Sequence, residues 1–221
     1  KNNSKFFKYL MKKNRLIPVL LLKNGWLVQS KGFSRYQNLG NPITAVKRLS
    51  EWGSDELIYL DISKDEEYDT RRDDQNYPNR NTFLEIINDV SKATFMPITI
   101  GGKIKSIEDI EKRLNLGADK ISINTKAIKD LEFINESALE FGSQCIVVSI
   151  DAKLYMDNYF VYDNSISSIT ELPVFDFVKQ VENIGAGEIL LNSVDQDGLG
   201  NGYDLLLIDE VVKKIKIPVI A

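Results

Sequence analysis

One pattern constrains this chain more than any other: an apolar run, a polar loop and an amphipathic stretch, repeated from near the start to the end. The apolar runs fall at residues 16–22, 56–62, 96–100, 120–124, 145–151, 188–194 and 217–221. They are short and rich in β-branched residues, and several carry apolar residues on both faces, as strands covered on both sides of a parallel sheet do. Helical spacing fills the intervals at 43–52, 82–92, 107–116, 130–141, 176–184 and 203–215. Asn41-Pro42 supplies a cap followed by proline in the first turn, and Ser106 supplies another cap. A strand pair is expected around 27–31 and a hairpin through 159–162. Strands alternating with helices in short units argue a parallel α/β fold.

An internal repeat separates a barrel from an open sheet. Residues 53–61 parallel residues 185–193, and residues 97–102 parallel 218–221. Two half-units suit a TIM (β/α)8 barrel built from duplicated halves. The first copy continues into Gly101-Gly102 where the second stops, so the expected architecture is a barrel ending after its seventh strand, with the eighth βα unit missing. Residues 1–10 read as a tail or a misassigned start, and 11–221 as a single barrel domain.

Composition narrows the function. The net charge of -4 offers no general attraction for nucleic acid or an anionic membrane, so an anionic substrate needs a local positive site. There is no histidine, which excludes histidine base catalysis and histidine metal ligation. The single cysteine, Cys145, rules out an internal disulfide, suits a reducing cytoplasm, and reads as a packed thiol in its strand. No apolar segment is long enough to span a membrane, and neither a metal nor a cofactor is expected.

Among the acids, Asp151 stands out because it closes the run at 145–151. Ligands in α/β folds bind at the carboxyl ends of the strands, where the connecting loops converge. An acid there can take and return protons; the alternative is a structural acid capping a loop. The charged loop 64–80, with Arg71-Arg72 and Tyr77-Pro78, is either a solvated loop or a lid.

Five motifs carry a resemblance: residues 15–18, 55–62, 117–124, 142–151 and 185–192. Together they resemble the cyclase (HisF-type) subunit family of imidazole glycerol phosphate synthase, nearly continuously from Arg15 to Ala221. The resemblance implies a barrel that takes ammonia from a HisH-like glutaminase subunit at its bottom face and uses it on a phosphorylated substrate at the top. Asp151 matches one of the family's two catalytic aspartates, while Leu21 occupies the position of the other. The family's loop lysine falls at Gln29, with Lys31 as a substitute if the register slips. Arg15, Glu56, Lys120 and Glu188 match the charges around the ammonia entrance, and Asp119 matches a residue facing the glutaminase. Gly101, Gly102, Asn124, Asp197 and Gly198 match phosphate- or substrate-binding positions. Lys103 replaces a third glycine, where it either adds a charge to a phosphate or fills the site, and Gln196 replaces an arginine.

The first strand without its acid also resembles paralogues involved in acetamidino modification of surface-polysaccharide sugars. Three readings follow. The foremost is an ammonia-channelling subunit for amidination of an N-acetylated sugar. The others are a histidine-pathway cyclase with a relocated acid such as Asp61, and a non-catalytic barrel that activates a glutaminase.

Overall fold

The computed structural model describes residues 14–64, 66–68 and 80–221. The expected tail at 1–10 and the centre of the long loop, including Arg71, Arg72, Tyr77 and Pro78, lie outside the described residues. In chain order the elements are β1 (Val19–Lys23), β2 (Trp26–Lys31), β3 (Arg35–Gly40), α1 (Pro42–Glu51), β4 (Leu57–Asp61), α2 (Phe83–Ala93), β5 (Ile98–Gly101), α3 (Ile107–Asn115) and β6 (Lys120–Ile123). They continue as α4 (Thr125–Lys129), α5 (Glu132–Phe141), β7 (Ile146–Tyr155), β8 (Asn158–Asp163), β9 (Ser168–Pro173), α6 (Val174–Ile184), β10 (Glu188–Ser193), α7 (Leu205–Lys214) and β11 (Val219–Ile220).

Seven strands form one parallel run in the order β1-β4-β5-β6-β7-β10-β11, and they are the seven apolar runs of the sequence. Two of the helices between them start at the caps that the sequence supplies. Asn41 accepts from the amides of Ile43 and Thr44, and Ser106 and Asp109 form a reciprocal capping box.

Side-chain alternation sorts the strand residues into two cores. Leu22, Leu57, Tyr59, Ile121 and Ile150 join the outer core between sheet and helices, together with Ile86, Phe177 and Val211. Ile58, Val147, Leu190 and Ile220 form a separate inner cluster, with Ile17 and Leu60 packed on it. Strands from opposite ends of the run meet in that inner cluster, so the sheet curls around a lumen. Each aliphatic side chain fully buried there stabilises the curl by about 1.5–3 kcal/mol.

Side chains and loops next to β1 and β2 reach across to β10 and the loop that follows it. Arg15 reaches Glu188 at the strand starts. At the strand ends Asp197 accepts from the Ser30 hydroxyl at 2.7 Å and the Phe33 amide at 3.0 Å, and the Gly32 amide donates to the Asp197 carbonyl.

Two hairpins extend the barrel upward. β2 pairs antiparallel with β1 and carries β3 on its far side, and β8 pairs antiparallel with the upper part of β7 and carries β9. Cys145 departs from expectation. Its amide donates to Gly142 in a tight 3-10 turn, so sheet pairing begins at Ile146 and the thiol is half-buried against the outer core.

Candidate active site

The site is a vertical series built by the two-residue period of the strands. Leading into and along β4 are Glu56, Ile58 and Leu60; along and just past β6 are Lys120, Ser122 and Asn124; β7 supplies Val147, Ser149 and Asp151; β10 supplies Glu188, Leu190 and Asn192. Glu56, Lys120 and Glu188 put charge at the bottom of this series, and Ile58, Leu60, Val147 and Leu190 are apolar above them. Asn124, Asp151 and Asn192 end it as two amides and an acid.

At the bottom, Arg15, Glu56, Lys120 and Glu188 close into a square of alternating sign. Arg15 donates to one oxygen of Glu56 and, at 2.9 Å, to one oxygen of Glu188. Lys120 donates to the other oxygen of Glu56 at 3.0 Å and of Glu188 at 2.9 Å. Every carboxylate oxygen thus meets a cation, and charge-assisted bonds of this kind are the strong ones. Partial burial works against the Arg15 charge, but its bonds to Glu56 and Glu188 prevail and hold the guanidinium above its ordinary value. Asp119, next to Lys120, is exposed on the same face and accepts from the Ile98 amide at 2.8 Å.

Above the square lies the inner apolar cluster, and above that an open cleft of about 1890 Å³. Asp151 is buried on its wall, and its carboxylate accepts from three amides. Asn192 donates to Oδ1 at 2.8 Å, while Asn124 and Asn164 donate to Oδ2 at 3.1 and 2.5 Å. Burial raises the Asp151 carboxyl to about 6 against the opposing pull of these amides, and the charge of Asp197 adds to the rise. Such an acid changes protonation state near neutral pH, which suits proton transfer. Ser122, between Lys120 and Asn124, is buried with its hydroxyl unpartnered among the described residues.

The other expected residues divide between the cleft and the scaffold. Leu21 lines the cleft, as its register opposite Leu60 requires. Gln29 and Gln196 also line it. Lys31 does not: it ends β2 as an exposed residue outside the cleft lining.

Asp61, considered as a relocated acid, is enclosed by its own neighbours. It accepts from the Ser63 amide and hydroxyl and from Tyr68, and it pairs with Lys103 at 3.1 Å. Lys103, expected to serve a phosphate, therefore directs its ammonium to Asp61. Gly102 is required by packing, since a Cβ there would sit 2.3 Å from the Asp61 carbonyl oxygen. Arg113 holds this loop from behind by donating to the Gly102 carbonyl at 3.0 Å.

Asp197 and Gly198 line the cleft, but their contacts are to the β2–β3 turn. A Cβ at Gly198 would lie 2.2 Å from the Ser30 carbonyl oxygen. Gly101 packs against Leu60 and Ser122. Asn164 and Asn192 were missed in the sequence, because a single amide at a turn or strand end carries no periodic signal. The one available clue was that Asn192 lies at the position on β10 that faces the acid on β7, where the register pairs it with Asp151.

Among the described residues no group of three or more histidine, cysteine, aspartate or glutamate side chains could hold a metal ion, and no helix is long and apolar enough to cross a membrane.

Comparison with known proteins places this geometry in a family. A Campylobacter jejuni protein named provisionally as imidazole glycerol phosphate synthase subunit hisF2 is 45% identical over 212 residues, covering 95% of this chain and 79% of that protein. The imidazole glycerol phosphate synthase subunit HisF of Hydrogenobaculum sp. is 43% identical over 208 residues, covering 94% of this chain and 78% of that protein. The subunit HisF of Exiguobacterium sp. is 40% identical over 211 residues, covering 96% and 78%. The family described as histidine biosynthesis protein matches residues 15–221. The chain belongs to the histidine biosynthesis protein family, on the branch of its HisF-type relatives.

Proposed function

We propose that this chain is the ammonia-using barrel subunit of a glutamine-dependent synthase of the imidazole glycerol phosphate synthase type. The observation that carries the proposal is the closed charge square beneath an apolar lumen that leads to Asp151. A HisH-like glutaminase would dock on the face that carries the square and Asp119. Neutral ammonia crosses an apolar lumen far more readily than ammonium, so the square admits the reactive species and retains the charged one. In the cleft, ammonia adds to a carbonyl carbon of a phosphorylated substrate. Asp151 takes a proton as the C–N bond forms and returns it to the hydroxyl that leaves as water.

The relatives named as HisF favour ring closure in histidine biosynthesis as the reaction. Leu21 favours a second reading, in which the ammonia serves amidination of an N-acetylated sugar by a separate amidotransferase-type enzyme. A leucine on the cleft wall leaves Asp151 without the second acid of the cyclase pair. The test is turnover of the family's imidazole precursor with ammonium salt. Ring closure that depends on Asp151 supports the first reading. Absence of ring closure, with glutaminase stimulation intact, supports the second, and Leu21→Asp should then restore measurable ring closure. Glutaminase stimulation that survives Asp151→Asn, with no ammonia-dependent product under any condition, would leave only a partner-activating barrel.

A further inference from the structure

Asp151 is held in an unusual way for a buried acid. No cation touches it among the described residues; its hydrogen-bond partners are the side-chain amides of Asn124, Asn164 and Asn192. These come from three separate places: the end of β6, the turn between β8 and β9, and β10. The two oxygens are treated differently. Oδ2 accepts from both Asn124 and Asn164, at 3.1 and 2.5 Å, whereas Oδ1 accepts from Asn192 alone, at 2.8 Å. A carboxylate oxygen has two lone pairs, so Oδ2 is saturated and Oδ1 keeps one acceptor site.

Asn124 is itself braced, because its amide also donates to the Ser149 carbonyl at 3.0 Å. Asn192 lies opposite Asp151 in the parallel ladder and also approaches the Ser149 hydroxyl at 3.5 Å. Asn164 comes from outside the barrel, carried over the cleft by the β8–β9 extension, and it makes the shortest of the three contacts.

We propose that Asn164 and Asn192 are positioning residues for Asp151: Asn164, with Asn124, pins Oδ2 as the anchoring oxygen, and Asn192 orients Oδ1 as the oxygen that exchanges a proton with substrate. The arrangement suits an acid working without a carboxylate partner. With Leu21 on the cleft wall, the same group must be a base in one half-step and an acid in the next. A lysine or arginine in contact would hold it ionised, and burial without donors would hold it protonated. Neutral amides stabilise the carboxylate enough to let it form while leaving it able to take a proton back.

The inference rests on Asp151 as the proton-transferring group, and the two can fail separately. Turnover unaffected in Asp151→Asn would remove that assignment without touching the cradle. The cradle is tested by carboxyl carbon NMR on the whole chain labelled with carbon-13 at the aspartate side-chain carboxyl, the Asp151 signal being identified by its loss in Asp151→Asn. Each charge-assisted bond favours the ionised form by on the order of tenfold, so Asn164→Leu and Asn192→Leu should each move the Asp151 midpoint upward by about one pH unit.

Asn164→Ser and Asn192→Ser keep a donor, and should move it upward by less; they cover the case in which leucine disturbs folding. A midpoint that stays put or falls in either residue's variants overturns the assignment for that residue. In turnover assays the acid limb of the rate profile should follow the NMR midpoint. A uniform loss of rate with an unshifted profile would mark a structural role only, and would overturn the proposal.

Discussion

At the strand starts, Arg15, Glu56, Lys120 and Glu188 neutralise one another bond for bond, whereas at the strand ends Asp151 is surrounded by neutral amides. Both ends remove charge from water, but they leave it in different states. The square is committed: every carboxylate oxygen has a cation. Asp151 is uncommitted, because amides favour its charge without cancelling it. A fixed network suits a structure that must stay closed, and an adjustable acid suits proton transfer. The same two-residue alternation builds both, since Lys120 and Asn124 flank Ser122 on one strand and Glu188 and Asn192 flank Leu190 on another.

The largest expected effect falls on the adjustable end. Asp151→Asn keeps the size of the side chain and removes the proposed proton carrier. General acid–base contributions are about 10²–10⁴-fold, so ammonia-dependent turnover should fall by about a thousandfold while the fold persists. Product formation with ammonium salt, measured beside a circular dichroism spectrum, checks this. A loss below tenfold would move the chemistry away from Asp151.

The committed end should respond in stability. Lys120→Met removes one corner of the square and leaves Glu56 and Glu188 sharing Arg15, with their side chains only 11% exposed. Orphaning buried charge costs about 3–5 kcal/mol when burial is complete, and the remaining Arg15 bonds lower the expected loss to about 2–3 kcal/mol. Urea unfolding measures it. If the square governs ammonia entry and not chemistry, as proposed, glutamine-dependent activity with a glutaminase should fall further than ammonium-dependent activity. Equal losses in both would break the division of labour between the two ends.

A smaller effect appears as a dependence on pH. Burial lifts the Asp151 midpoint to about 6, above the ordinary range for an unfolded chain. Between roughly pH 4 and 6 the folded state therefore holds a proton that the unfolded state has released, and stability falls as pH rises through that window. The contribution is fully present below about pH 4 and lost above about pH 6, amounting to about 3 kcal/mol. Unfolding midpoints for wild type and Asp151→Asn, measured from pH 4 to 7, should diverge, with the wild-type curve the one that declines. Parallel curves would place the Asp151 midpoint in the ordinary range.

Much of this contrast was legible in the sequence. The strands declare themselves by β-branched runs, and the family resemblance singled out the four charges that the structure brings together around one lumen. Leu21 was singled out by the same resemblance, and the structure sets it beside Leu60 on the cleft wall. What sequence could not supply is how a side chain is used once placed. Lys103 and Asp61 looked like separate candidates until the αL backbone of Lys103, at φ 56°, turned its ammonium onto Asp61. Asp197 looked like a ligand position and is occupied with the β2–β3 turn. Asn164 arrives at Asp151 by way of a hairpin, a tertiary contact that local pattern does not encode.

The smallest expected effect supplies the control for the whole comparison. Lys105 and Glu66 form an ion pair at 3.2 Å, close to the 2.9–3.0 Å pairs that Lys120 makes in the square. Their side chains are 74% and 73% exposed, however, so water screens the attraction and solvates either partner when the other is removed. Lys105→Ala should change stability by less than about 0.5 kcal/mol, and raising salt should erase even that. If distance alone set the strength of a pair, Lys105→Ala and Lys120→Met would cost alike. A difference of several-fold between them would locate the strength of the square in its burial and closure, the same burial that keeps the Asp151 carboxyl adjustable at the other end.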